Sequence, residues 1–279
     1  MEKKIRQFVL ALCLLAVPFT STLAQDNVNP YYADLNEDGV VDVADIANIV
    51  DVIANGEIQD LSPESALAID MGFPSGTMWA NMNVGANKPE DYGLFYAWAE
   101  TTGYGSDISD GRLFRWRYYK WMTKGKNKGA YINKYQLNDN KTEGCWYDSA
   151  GNFIGDNIPM LEAEDDAATA NWGTKWRIPT YYEMEELVEF CTTEWVEMNG
   201  VNGMMFTSKI NGNSIFLPAA GYRLRNSLDY QGEGGNYWTS TLLPTDCTYA
   251  GSIAFGAGGA SMYYNGRLNG RSVRPVIKK

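Results

Sequence analysis

The apolar positions of this chain fall into a few helical stretches and many short strand-like runs. Met184, Leu187, Val188 and Cys191 recur at helical spacing. Pro179-Thr180 precedes them, and Glu183 stands three residues after Thr180, as in a capping box. This predicts a helix over Tyr181 to Cys191. A second helix is expected over Ala163 to Asn171, and a third where Ile46, Ile49, Val50 and Ile53 form an apolar face that stops at Asn55-Gly56. The strand candidates are Ala68 to Met71, Thr77 to Asn81, Gly93 to Trp98, Lys175 to Ile178, Gly203 to Thr207, Ser214 to Leu217, Tyr237 to Thr241, Ser252 to Phe255 and Val273 to Val276. Asn211-Gly212, between two apolar runs, is a hairpin signal. Few helices among many short, hairpin-linked strands predict an α+β domain.

The amino-terminal pattern is different. Lys3, Lys4 and Arg6 precede the apolar stretch Phe8 to Phe19, and Thr22-Leu23-Ala24 supplies a small-residue cleavage site. Residues 1–24 therefore read as a cleavable bacterial signal peptide, with the mature protein secreted or at the cell surface. The stretch is too short to span a bilayer well, and no later segment is apolar enough to do so, so no transmembrane helix is expected in the mature chain. A loop and helix follow over residues 25–59, then a polar linker over 60–67, then a large domain over 68–279.

Composition narrows the chemistry. The formal net charge is -11, so no basic stripe is available to displace counterions from nucleic acid. The chain contains no histidine, which removes Ser-His-Asp triads, Cys-His dyads and histidine-based zinc sites. Past the signal the cysteines are Cys145, Cys191 and Cys247. An odd number leaves at least one thiol unpaired, and the spacing does not say whether any two pair. An apolar core must hold the domain together.

Asp34-Leu35-Asn36-Glu37-Asp38-Gly39-Val40-Val41-Asp42-Val43-Ala44-Asp45 has calcium-loop spacing. Side-chain oxygens fall at loop positions 1, 3, 5, 9 and 12, as Asp34, Asn36, Asp38, Asp42 and Asp45. Val40 supplies its backbone carbonyl at position 7, and Gly39 permits the sharp turn at position 6. Four carboxylates this close repel one another unless a cation joins them. Ca2+ is the expected ion, with extracellular-type affinity on the order of 10⁻⁴ to 10⁻³ M. Asp rather than Glu at position 12, followed by a helix, makes the segment resemble an EF-hand-like dockerin repeat. A complete dockerin has two such loops and implies a cohesin-type partner. The single repeat here argues against that partner and leaves the apolar helix face to pack elsewhere.

The large domain carries five blocks of a known pattern. They are Gly72 to Ala80 (GFPSGTMWA) with Asn83 to Ala86, Tyr92 to Thr102 (YGLFYAWAETT), Glu164 to Gly173 running into Trp176-Arg177-Ile178-Pro179-Thr180, Asn213 to Arg223 (NSIFLPAAGYR), and Gly270 to Val276 (GRSVRPV). With these it resembles the Fibrobacter succinogenes major paralogous domain family of exported bacterial proteins. The resemblance implies a C-type-lectin-like fold, shared with formylglycine-generating enzymes. The family often has cysteine where this chain has Met82, and a bridge from that position to Cys191 would be lost here. The generating enzymes use a copper-binding cysteine pair close in sequence, and Cys145, Cys191 and Cys247 provide none. Calcium-dependent lectins of the fold use Glu-Pro-Asn or Gln-Pro-Asp loops, and neither occurs.

Two clusters remain for chemistry. Glu162, Glu164, Asp165 and Asp166 could serve two-carboxylate hydrolysis, but they read better as the acidic cap of a helix. Phe114-Arg115-Trp116-Arg117-Tyr118-Tyr119-Lys120-Trp121 interleaves aromatics with cations. Trp116, Tyr118, Tyr119 and Trp121 are the candidate sugar-stacking residues, against the alternative that they pack the core. Arg271 and Arg274 are expected to pair with carboxylates, Asp165 or Asp166 among them. The expectation is an exported, non-catalytic binding or surface-interaction protein with a structural calcium site, its partner a glycan or a surface protein. The alternatives are a carbohydrate-active enzyme or polysaccharide-degradation accessory protein, and a purely structural module.

Overall fold

The computed structural model describes residues 62–107, 113–125, 131–138 and 146–279. The signal-like segment, the calcium-loop residues Asp34 to Asp45, the helix expected after them and Cys145 lie outside the described residues. The described part is mostly β-sheet with few helices. In chain order it contains β1 (Ala68–Asp70), β2 (Thr77–Ala80), α1 (Ala167–Trp172), α2 (Tyr181–Phe190), β3 (Cys191–Met198), β4 (Val201–Ser208), β5 (Ser214–Pro218), β6 (Tyr222–Leu224), β7 (Ser227–Asp229), β8 (Gly234–Leu242), β9 (Tyr249–Gly256), β10 (Gly259–Gly266) and β11 (Val276–Lys278). No helix among the described residues is long and apolar enough to cross a membrane.

The capping signals set the start of α2. Thr180 Oγ1 accepts from Glu183 N, and the Glu183 carboxylate accepts from Thr180 N, which completes the capping box. The helix ends one residue before its expected boundary because Cys191 is already extended and begins β3. Met184 and Leu187 are fully buried, each contributing about 1.5–3 kcal/mol of apolar burial. They share a core with Met204 and Phe206 of β4, Ile215 and Leu217 of β5, and Tyr237, Ile253 and Phe255 of β8 and β9. One helix thus packs on two sheets, β3-β4-β5 and β8-β9-β10, both antiparallel.

The turns follow their sequence signals. Gly212, at a φ of 79°, turns β4 into β5 where the Asn-Gly pair stands. Ala257-Gly258 joins β9 to β10, with Gly256 opposite Gly259. β2 lies between β1 and β11, so the first and last strands of the described domain meet in one sheet. Gly221 has a φ of 73°, and a Cβ there would collide with Asp229 O, so only glycine lets the chain enter β6 so close to the end of β7.

Three expectations change. The helix over Ala163 to Asn171 is split into a 3-10 turn, Ala163–Asp165, and α1. Asp166 divides them as the N-cap of α1, accepting from Ala168 N at 2.8 Å and Thr169 N at 3.1 Å. Gly93 to Trp98 and Lys175 to Ile178 are not strands; they make single bridges, Phe95 with Tyr104, Tyr96 with Arg271 and Arg177 with Val276. The last strand begins at Val276 rather than ending there, because Val273 is buried with α1 in a second core cluster. Met82 also belongs to that cluster, whereas Cys191 lies in the first.

Candidate functional site

The aromatic run around Trp116 does not form one flat platform. It winds through a 3-10 turn, Trp116–Tyr118, which sends neighbouring rings to different surroundings. Tyr119 points inward: its hydroxyl donates to Trp98 O at 2.5 Å and accepts from Arg267 Nε at 3.0 Å, and burial pushes its pKa up. Trp121 is half-buried and donates through Nε1 to Ala99 O, with the ammonium groups of Lys120 and Lys134 at 4.4 and 5.0 Å from its ring centroid. Tyr118 is 52% exposed. Trp116 is half-buried and meets Tyr119 edge-on at 5.6 Å.

Trp116 also lines a surface groove of about 390 Å³, together with Thr248, Tyr249, Asn265, Leu268 and Asn269. Tyr249, at the start of β9, is 41% exposed. Asn265, near the end of β10, donates through Nδ2 to Ser252 Oγ at 2.8 Å, which holds the amide in place. The Asn269 backbone N–H donates to Gly266 O at 3.0 Å, while its side-chain carboxamide has no protein hydrogen bond among the described residues. The groove therefore offers aromatic faces beside amide and hydroxyl groups, the combination suited to the apolar faces and hydroxyls of a sugar. A second, smaller pocket of about 60 Å³ shares Leu268 with the groove as a lining residue. Glu100, Tyr104, Phe114, Arg115, Tyr118 and Tyr119 are on its walls.

Of the four predicted stacking residues, Trp116 reaches the groove, Tyr118 and Tyr119 reach the smaller pocket, and Trp121 lines neither. Thr248, Tyr249, Asn265, Leu268, Asn269 and Glu100 were not among the residues the sequence singled out. The usable signal was local: Gly266 to Gly270 is a turn rich in Asn and Gly directly after a Tyr-Tyr-Asn strand, a setting that places Leu268 and Asn269 partly at the surface while Arg267 turns inward.

The acidic cluster has a different role. Ligand oxygens of Glu162, Glu164 and Asp165 lie within 4.8 Å of one another. Lys134 Nζ stands among them, 2.7 Å from Glu162, 3.0 Å from Glu164 and 2.5 Å from Asp165. An ammonium already neutralises the place a metal ion would take. Asp165 also meets Lys120 Nζ at 2.9 Å and the Tyr135 hydroxyl at 2.7 Å; these partners outweigh burial and hold its carboxyl below the ordinary range. Asp166 carries the reverse balance. Burial pushes it up to about 6, against three backbone N–H donors from Ile178, Thr169 and Ala168.

Arg271 and Arg274 are buried without a carboxylate among the described residues, contrary to the expected pairing. Arg274 instead donates to Asn83 Oδ1, Ala80 O and Phe216 O, tying the chain end to β2 and β5. Arg271 bonds Asn236 Oδ1 and lies between the rings of Tyr222 and Trp238, at 5.3 and 5.0 Å. Burial draws the two guanidinium groups down to about 9 for Arg271 and about 10 for Arg274. Backbone carbonyls, amides and aromatic faces thus stand where Asp165 and Asp166 were expected. The same is true of Arg267, fully buried, which donates to Tyr119 Oη and to the carbonyls of Tyr135, Cys247 and Lys134.

No protein-family model, no curated protein and no solved structure matches this chain.

Proposed function

We propose that this chain is an exported, non-catalytic glycan-binding protein, with the Trp116 groove as its binding face. The observation that carries the reading is the composition of that groove: Trp116 and Tyr249 beside Thr248, Asn265 and the Asn269 side-chain carboxamide, which has no partner among the described residues. Two-carboxylate hydrolysis needs a pair of carboxyl groups roughly 5–10 Å apart across the substrate. Among the described residues on the groove walls there is no carboxylate, which favours binding over hydrolysis. A C-type-lectin-like architecture is supported by the return of β11 to β2 beside β1, and by the described residues between β2 and α1, which form bridges and 3-10 turns but no named strand.

The calcium site belongs to the same proposal. Asp34, Asn36, Asp38, Asp42, Asp45 and the Val40 carbonyl are hard oxygen donors in the order a calcium ion takes them. Bound there, the ion would order the loop by neutralising carboxylates, a structural service and not a catalytic one.

The test is a broad glycan array followed by calorimetry with the best oligosaccharide. Trp116→Ala and Asn269→Ala should each weaken binding about tenfold or more, the scale of one lost stacking or hydrogen-bonding contact. No glycan bound by the wild type, or binding indifferent to Trp116, would overturn the reading.

A further inference from the structure

Beside the groove, the smaller pocket has a chemistry of its own. Tyr104, Phe114, Tyr118 and Tyr119 face it, and among the described residues Glu100 is the one carboxylate on its walls. Tyr104 and Phe114 meet edge-on at 5.8 Å, and Phe114 and Tyr119 are buried, which fixes those walls. Glu100 accepts one hydrogen bond, at Oε1 from Lys120 N at 2.8 Å, and its Oε2 has no partner among the described residues. Neighbouring cations are engaged elsewhere: Lys120 Nζ on Asp165, and Arg267 on carbonyls and the Tyr119 hydroxyl. Burial raises the Glu100 pKa, so its carboxylate stands to gain from a cation brought to it.

We propose that this pocket recognises the primary ammonium group of an amino sugar whose ring lies in the adjoining groove. Aromatic faces around a carboxylate attract a cation by quadrupole and by charge together. The room of about 60 Å³ takes a water-sized –NH3+ group, which needs on the order of 10–15 Å³ by the same measure, but not a sugar ring. Leu268 lines both cavities, so the two adjoin at that side chain, and the proposal takes a ring on Trp116 to direct its amine past Leu268 into the pocket. Arg115 also stands on the wall, its Nη2 tied to Asn226 Oδ1 at 3.1 Å, and it opposes the incoming charge. This inference rests on the glycan reading of the groove and adds the ligand class.

The experiment compares three β-1,4-linked glucose-type oligomers of equal length, bearing amine, acetamide or hydroxyl at the same ring carbon, by calorimetry on the full chain. The amine oligomer should bind about tenfold tighter than the hydroxyl oligomer, the scale of one cation–π contact with a charge-assisted hydrogen bond. Glu100→Gln, which keeps the shape and the bond from Lys120 N, should collapse that preference to within about twofold. Tyr118→Ala, at an exposed position, should reduce it, and Arg115→Gln should enlarge it. Opposite signs at Glu100 and Arg115 are not expected of a purely structural role. Equal affinity for all three oligomers overturns the ammonium site and leaves the groove reading standing. If none of the three binds while another glycan on the array does so through Trp116, the ammonium site is again overturned and the groove reading again stands. If no glycan binds at all, both fall.

Discussion

Lys134 Nζ lies 2.5 Å from Asp165 Oδ2, and the same ammonium touches Glu162 and Glu164. Asp165 is 3% exposed at its side chain and Lys134 16%, so the pair is largely shielded from water. Removing one partner of such a pair leaves a buried charge without compensation. Lys134→Met should therefore cost about 3 kcal/mol, reduced to the extent that Lys120 covers Asp165 alone. Urea unfolding followed by tryptophan fluorescence measures it. A change below about 0.5 kcal/mol would show that the cluster is a solvated surface pair after all.

Glu183 joins three elements. It accepts from Thr180 N in its own cap, from Thr77 Oγ1 of β2, and from Arg177 at both oxygens. Burial alone would raise its pKa, but Arg177, with Thr180 and Thr77, holds it down to about 2. Because the folded value is depressed, its stabilisation is complete above the unfolded value near 4.5 and is lost as pH falls from there towards 2. The full effect is on the order of 3 kcal/mol. Glu183→Gln should lower stability at pH 7 and flatten the decline between pH 5 and 2, as read from denaturation midpoints across that range. An unchanged acid limb in the variant would show that Glu183 does not set the acid limit.

Asp166 makes a stricter demand on its replacement. Its two oxygens accept three backbone N–H groups, from Ala168, Thr169 and Ile178. Asparagine retains one acceptor and turns an NH2 donor towards another donor. Asp166→Asn should cost about 1–3 kcal/mol, near the cost of leaving a buried donor unsatisfied, despite the near-identical shape. Burial raises the folded pKa to about 6, so the wild type itself should lose stability as pH rises from about 4 through 6 at this group, opposite to Glu183. The comparison of Asp166→Asn with Glu183→Gln over that window separates the two contributions.

What the chain sequence made readable was local. The capping box at Thr180 and Glu183, the Asn211-Gly212 turn and the apolar face of Met184 and Leu187 all act over a few residues, and each appears where its spacing places it. β3 escaped because its Thr-Thr-Glu-Trp-Val-Glu pattern lies mostly at the surface, and β10 because glycines bound it. Gly93 to Trp98 misled because it is buried on several sides at once: Phe95 bonds Tyr104, Tyr96 bonds Arg271 and Trp98 bonds Arg267, so its apolar run serves three partners and no ladder. The groove is assembled from Trp116, Tyr249 and Asn265 to Asn269, distant segments whose meeting no periodicity records. The arginines show the same limit. Spacing indicates that Arg271 and Arg274 need partners, and only the folded chain shows that amides, carbonyls and rings supply them.

The proposed calcium loop is separate in sequence from the large domain, so its test must read the ion and not the melting of the tryptophan-rich core. Asp34, Asn36, Asp38, Asp42 and Asp45 supply four carboxylates and one amide, and Val40 a carbonyl. Binding of Ca2+ to the full chain, followed by calorimetry, should saturate at one ion with a dissociation constant on the order of 10⁻⁴ to 10⁻³ M. Asp38→Asn and Asp42→Asn each remove one charge while keeping an oxygen, so each should weaken binding without altering the groove's glycan affinity. Asp45→Glu lengthens the position-12 ligand to the bidentate form of EF-hand loops and should bind at least as tightly. A hydrated Mg2+ should compete poorly, since it holds its waters and demands a near-ideal octahedron, whereas the ligand spacing is that of calcium loops. Absence of calcium binding by the wild type at millimolar concentration would refute the site, and the amino-terminal spacing would then describe only an acidic turn.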